Sequence, residues 1–206
     1  PILVGGTGLY FKSIIDGFTK IPKIPIKFRN KVRNFQKKIG QEKFYKKLLK
    51  LDILIKNKIN PNDIQRSIRA YEVKSYTKVS LYEWFSNTVK NFKDEDFVKI
   101  YINYPRADLI KKIRLRVDEM FKKGAIQEVK KFIKLKVIKE RTSNKVIGIG
   151  EIRNYLSNQE NLDHIKDLIV IKTRQYAKRQ ITWARGHMYS WKKIDPSDLA
   201  SFIKKI

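Results

Sequence analysis

Glycines around a threonine at the mouth of a helix make a phosphate-binding arrangement, and this chain carries one at Gly5, Gly6 and Thr7. The glycines let the backbone turn sharply and come close to a ligand. A threonine just ahead of a helix can cap it, so that its hydroxyl and the first free N–H groups face one point. That point attracts an anion. Residues 1–4 are apolar and read as a short strand buried on both faces. Gly17 ends the helix that follows. Taken alone, these residues fit an ordinary strand–turn–helix equally well.

The second constellation is cationic. At about 100° per residue, Arg174, Lys178 and Arg185 fall on one narrow stripe of a helix, with Gln175, Arg179 and Trp183 on the next. Ala177, Ile181, Ala184 and Met188 form its expected buried side. Cations take phosphates, glutamines read base edges and an aromatic ring stacks on a base. A basic surface helix anchored by Trp183 is the plainer alternative. Gln65 and Arg69, with Arg66 between them, lie one turn apart on another helix and can face one ligand. There Ile64, Ile68 and Tyr71 are the expected core contacts, and Glu72 is expected to pair at the surface with Arg69 or Lys74.

The elements that must position these groups follow from periodicity and breakers. Helical patterns cover residues 28–39, 41–51 and 53–59. Asn60 suits an N-cap, Pro61 the first turn and Asp63 the dipole of a helix reaching Tyr76. Residues 80–84 are amphipathic, 97–104 alternate like a strand, and 107–122 and 125–136 are helical on either side of Gly124. Residues 139–144 read as a charged loop, and 147–150 as a tight turn opening into a helix over 151–156. The long basic helix spans 162–186, followed by a strand over 191–194 and a closing helix over 198–206. The expected fold is therefore α/β: residues 1–20 belong to a parallel core, 21–85 form a helical insertion, and 86–206 return to the core.

Composition narrows the function. The chain has 206 residues, no cysteine, two histidines and a net charge of +27. Disulfides, thiolate sites and histidine metal clusters are excluded. No run is long enough for a membrane span and no signal peptide is visible, which fits a cytoplasmic protein. The charge points to a polyanion such as nucleic acid. Lysine dominates, and isoleucine and asparagine abound, as in AT-rich coding, so the scarcer arginines are the better guide to a site.

Four blocks together resemble the tRNA dimethylallyltransferase (tRNA isopentenyltransferase) family: PILVGGTGLY at 1–10, NPNDIQRSIRAYEV at 60–73, IGIGE at 147–151 and TRQYAKRQITW at 173–183. The resemblance implies a P-loop NTPase-like α/β core with a helical insertion that grips the tRNA anticodon stem-loop. It implies transfer of a dimethylallyl group from dimethylallyl diphosphate to N6 of the adenosine 3′-adjacent to the anticodon, by a monomer using Mg²⁺. On this likeness Gly5, Gly6 and Thr7 bind the diphosphate, with Thr7 near the breaking bond and also facing the tRNA. Arg29, Gln65, Arg66 and Arg69, and Lys178, Arg179, Gln180, Thr182, Trp183 and Arg185, are the implied tRNA contacts.

Two departures qualify the likeness. No G-x-x-x-x-G-K-[ST] motif occurs, and none of the 20 acidic residues lies in a motif matching that of the family's catalytic aspartate, so no general base is carried over. The P-loop, the catalytic aspartate and the Mg²⁺ ligands are expected in an N-terminal portion outside this sequence. The chain is thus expected to be a fragment, inactive alone and in need of that half. Secondly, Ile149 and Gly150 stand where many relatives have an aromatic and a basic residue, leaving Lys145 as the candidate diphosphate cation. The competing reading is a non-catalytic basic RNA-binding remnant; a purely structural basic protein has no use for the glycine–threonine loop.

Overall fold

The computed structural model describes residues 1–138 and 141–205, so part of the expected 139–144 loop and the end of the expected closing helix lie outside the described residues. The chain divides into two units: one made of residues 1–8 with 98–206, the other of residues 9–97. The helical insertion was expected over 21–85; the second unit is wider at both ends.

The second unit is helical. Helix α1 (Gly8–Ile15) precedes Gly17, whose φ of +88° supplies the left-handed break. Helices α2 (Ile26–Ile39) and α3 (Gln41–Leu51) meet at Gly40, and a single 3₁₀ turn (Ile53–Ile55) follows. The helix expected over 53–59 stops there because Asn57 takes a positive φ of 62°. Asn60 does not cap the next helix: residues 60–63 close a turn with the Asp63 N–H on the Asn60 carbonyl, and Pro61 sits at its second position, which its fixed φ favours. Asp63 is the cap, accepting from the Arg66 N–H, and α4 runs Ile64–Thr77. Ser80 caps α5 (Leu81–Ser86) in a capping box with Glu83.

Two apolar clusters hold this unit together. Leu48, Ile55, Ala70 and Val73 centre one; Val32, Phe44 and Ile68 centre the other, with Tyr71 packed against it. Ile64, expected in the core, is 43% exposed because it opens α4.

In the other unit, β1 (Ile100–Ile102) pairs in parallel with β2 (Lys192–Ile194), Tyr101 opposite Lys193. The strand expected over 97–104 is thus three residues long. The connection between the strands carries α6 (Arg106–Lys122), α7 (Ala125–Lys134), α8 (Ile149–Leu156) and α9 (Leu162–His187), with a 3₁₀ turn at Thr142–Lys145. Helix α10 (Leu199–Ile203) is shorter than the closing helix expected. Ile113, Val117, Ile152, Ile165 and Ile169 form the core of this unit. A parallel pair joined by crossover helices is an α/β arrangement.

Residues 1–4 are not a strand. Ile2, Leu3 and Val4 are 82%, 57% and 88% exposed. An apolar run becomes a buried strand only beside another strand, and the one sheet among the described residues pairs 100–102 with 192–194. No helix among the described residues is long and apolar enough to cross a membrane.

Candidate functional site

The glycine loop lies against α9. A Cβ built on Gly6 would stand 2.2 Å from Gln180 Nε2, and one on Gly8 would stand 2.0 Å from the Trp183 ring. The Trp183 ring leaves no room for a side chain at Gly8, whereas one at Gly6 would have to displace the end of the flexible Gln180 side chain. Exposed Thr7 is carried between the two glycines, next to two of the residues assigned to RNA. Trp183 is held in turn: its ring stacks on His187 at 4.3 Å and 2°, and the His187 Nδ1 lies 2.9 Å from the Trp183 carbonyl oxygen.

Along α9 the face beyond this contact is cationic. Lys178, Arg179, Thr182 and Arg185 are exposed, Arg174 and Gln180 half-buried. The Arg179 guanidinium sits over the Tyr176 ring at 5.6 Å, which stiffens a long side chain. Ala184 and Met188 are buried as expected, while Ala177 and Ile181 are only half-buried. The N-terminal half of α9, with Ile165, Ile169 and Val170, anchors the helix in the core.

Helix α8 begins at Ile149, two residues earlier than expected, on Gly148 at φ +106°. Glu151 closes the cap by accepting from the Gly148 N–H at 2.8 Å and pairs with Lys172 of α9. Burial pushes the Glu151 carboxyl up, but the Lys172 ammonium and the backbone donors outweigh it and hold the group below its ordinary value. Lys145 is exposed at the end of its 3₁₀ turn, and a side chain added at Gly150 would meet open space.

In the helical unit, Gln65 and Arg66 are exposed on α4, with Arg66 partly engaged by Asp63 at 3.5 Å. Arg29 and Arg69 converge on Glu72. The expectation that Glu72 is a surface residue is wrong: it is 1% exposed, with Arg29 Nε at 3.3 Å and Arg69 Nη1 and Arg33 Nε each at 3.7 Å. Sequence reasoning passed over Arg33, although its spacing one turn from Arg29 was the available signal.

Among known proteins, the IPP transferase family model matches residues 1–187. A tRNA dimethylallyltransferase of Pelagibacter ubique is 60% identical over all of this chain, which spans 66% of that relative; one from Rickettsia massiliae is 43% identical over 91% of the chain and 52% of its own length. The chain thus spans between half and two thirds of these relatives. Of solved structures, a eukaryotic dimethylallyltransferase acting on tRNA matches 97% of the chain and 52% of its own with a TM-score of 0.75 at 26% identity. A tRNA isopentenylpyrophosphate transferase of Bacillus halodurans matches 95% of the chain and 59% of its own, with a TM-score of 0.55 at 31% identity.

Proposed function

Because this chain belongs to the IPP transferase family, that of the tRNA dimethylallyltransferases, we propose that it serves transfer of a dimethylallyl group from dimethylallyl diphosphate to tRNA. The acceptor is N6 of the adenosine 3′-adjacent to the anticodon. The amine lone pair forms the new N–C bond at the allylic carbon, the C–O bond breaks, its electron pair leaves with the diphosphate, and N6 loses a proton. Such a base must be drawn out of its stack to react.

The observation that carries this reading is the seat of the glycine loop on α9. Gly6 and Gly8, on either side of Thr7, lie against Gln180 and Trp183, which supports a reading in which one loop serves both substrates. Thr7 donates to the diphosphate as negative charge grows on its oxygens, with the backbone at Gly5 and Gly6 close enough to assist. Lys145 is the cation assigned to the same anion. Lys178, Arg179 and Arg185 take backbone phosphates, Gln180 and Thr182 supply hydrogen bonds, and Trp183 offers a stacking surface. Arg29, Gln65, Arg66 and Arg69 bind tRNA from the helical unit.

A magnesium ion is the usual neutraliser for a diphosphate leaving group. Among the described residues no three histidine or acidic side chains gather as a metal site, so the residues here do not fit one and no step is drawn through it. The acceptor of the N6 proton is likewise not assigned to this chain.

The test uses the full natural protein with tRNA and dimethylallyl diphosphate. Thr7→Ala is expected to lower kcat on the order of a hundredfold, as loss of one charge-stabilising donor does, with tRNA affinity nearly unchanged. Unchanged turnover removes Thr7 from the reaction. A wild type that binds tRNA but transfers nothing leaves a non-catalytic RNA-binding protein instead.

A further inference from the structure

Glu72 is buried in the helical unit, yet its Oε1 has no hydrogen bond, with Arg33 Nε 3.7 Å away. A carboxylate buried only for stability is best served by one short two-pronged arginine pair that satisfies both oxygens. Here three guanidiniums surround it instead. Arg29 and Arg33 come from successive turns of α2, and Arg69 from α4. Their side chains remain 37%, 45% and 40% exposed.

The donors greatly outnumber the acceptors. Each guanidinium has five N–H groups and a carboxylate about four acceptor positions, so most of the donors face away from Glu72. Among the described residues these three side chains have no other ion pair. Three arginines and one glutamate leave two positive charges in excess, and three cations held this close repel each other unless a fixed anion gathers them. Beside them lies a hollow of about 360 Å³, lined by Lys23, Arg29, Arg69 and the apolar Ile24 and Ile26. A lining that combines cations with apolar side chains suits a nucleotide unit of a chain.

We propose that Glu72 is a positioning residue whose buried carboxylate gathers Arg29, Arg33 and Arg69 into a clamp for one backbone phosphate of the RNA substrate. This rests on the tRNA reading above and adds Arg33 and Glu72 to it. The incoming phosphate supplies the second anion that the three guanidiniums lack, and its charge-assisted hydrogen bonds are made to donors already held in place.

Electrostatics alone and positioning predict opposite signs, so one substitution separates them. Glu72→Gln makes the surface more positive by one charge. A simple charge effect would tighten tRNA binding; loss of the gathering carboxylate weakens it. In the full natural enzyme, Glu72→Gln is expected to raise the KM for tRNA about tenfold, the loss of roughly one good contact, with kcat and the KM for dimethylallyl diphosphate little changed. Glu72→Asp is expected to restore part of the loss. Arg33→Ala leaves Glu72 paired with Arg29 and Arg69, and is expected to reduce the salt dependence of anticodon stem-loop binding by about 0.7–0.9 in log–log slope, one phosphate's share. Tighter or unchanged tRNA binding by Glu72→Gln overturns the proposal, as does a rise in the diphosphate KM in place of the tRNA KM. Should Glu72→Gln fail to fold, a wild-type salt slope in Arg33→Ala overturns it independently. A wild-type enzyme that transfers nothing defeats the functional reading itself, whereas an active wild type with indifferent variants defeats only the clamp.

Discussion

At the scale of single residues, Gly8 shows how a glycine loop is seated by what it lacks. It opens a helix, where alanine is ordinarily the better residue by about 1 kcal/mol. Its position against Trp183, with ring carbons 2.0–2.5 Å from where a Cβ would lie, reverses that preference. The ring is rigid and backed by the His187 stack, so it cannot give way as a flexible chain end would. Gly8→Ala is therefore expected to destabilise by about 1–3 kcal/mol, the range for overpacking. Trp183→Leu should relieve part of that loss. A double-mutant cycle by urea denaturation checks this: coupling near zero would mean that the loop and the ring do not press on each other. The glycines were visible in the sequence as a loop. Their reason was not, because Gln180 and Trp183 lie far along the chain and only the fold brings them over. Glu72 was misread for the same cause: Arg29 reaches it from 43 positions upstream, while the local pattern offered only Arg69 and Lys74.

At the scale of elements, those with a strong internal period were readable and those that depend on a neighbour were not. The spacing of 3.6 residues finds Ala184 and Met188 on the buried side of α9 but leaves Ala177 and Ile181 half-buried, and α3 falls on its expected residues. The run at 1–4 has strand chemistry but no strand beside it. The start of α8 was missed by two residues because its cap is a reach-back by Glu151 to the Gly148 N–H. That cap also ties α8 to α9 through Lys172, and it makes a pH prediction. The Glu151 carboxyl is held below its ordinary value, so it contributes stability above the unfolded value near about 4.3 and loses it as pH falls through the lower folded value. Glutamine keeps the reach-back bond and removes the charge. Glu151→Gln is thus expected to cost about 1 kcal/mol at pH 7, modest because Lys172 is half exposed. The gap to wild type should close below about pH 4. Urea midpoints of the two proteins from pH 7 to 3 test this, and a gap that persists at pH 3 would show that the charge is not what matters.

At the scale of the whole molecule, the question is how much of the +27 charge belongs to function. Screening limits each charge to about 8–10 Å at physiological salt, so a lysine far from the RNA contributes little whatever the total. Some lysines are also locally balanced, as Lys46 is by Glu42 one turn away. The salt dependence of tRNA binding counts only cations that displace counterions from phosphates. Arg179→Gln is expected to weaken anticodon stem-loop binding and to lower the log–log slope by about 0.7–0.9. Lys46→Gln should change neither, although it removes the same charge. Trp183→Ala is expected to weaken binding with the slope unchanged, since a stacked ring releases no counterions. Affinity titrations from 50 to 300 mM salt on the three variants decide between a localised and a diffuse interface. Equal slopes for Arg179→Gln and Lys46→Gln would mean that the whole basic surface holds the RNA. A slope that falls with Trp183→Ala would mean that the ring acts by positioning the cations of α9 rather than by touching a base.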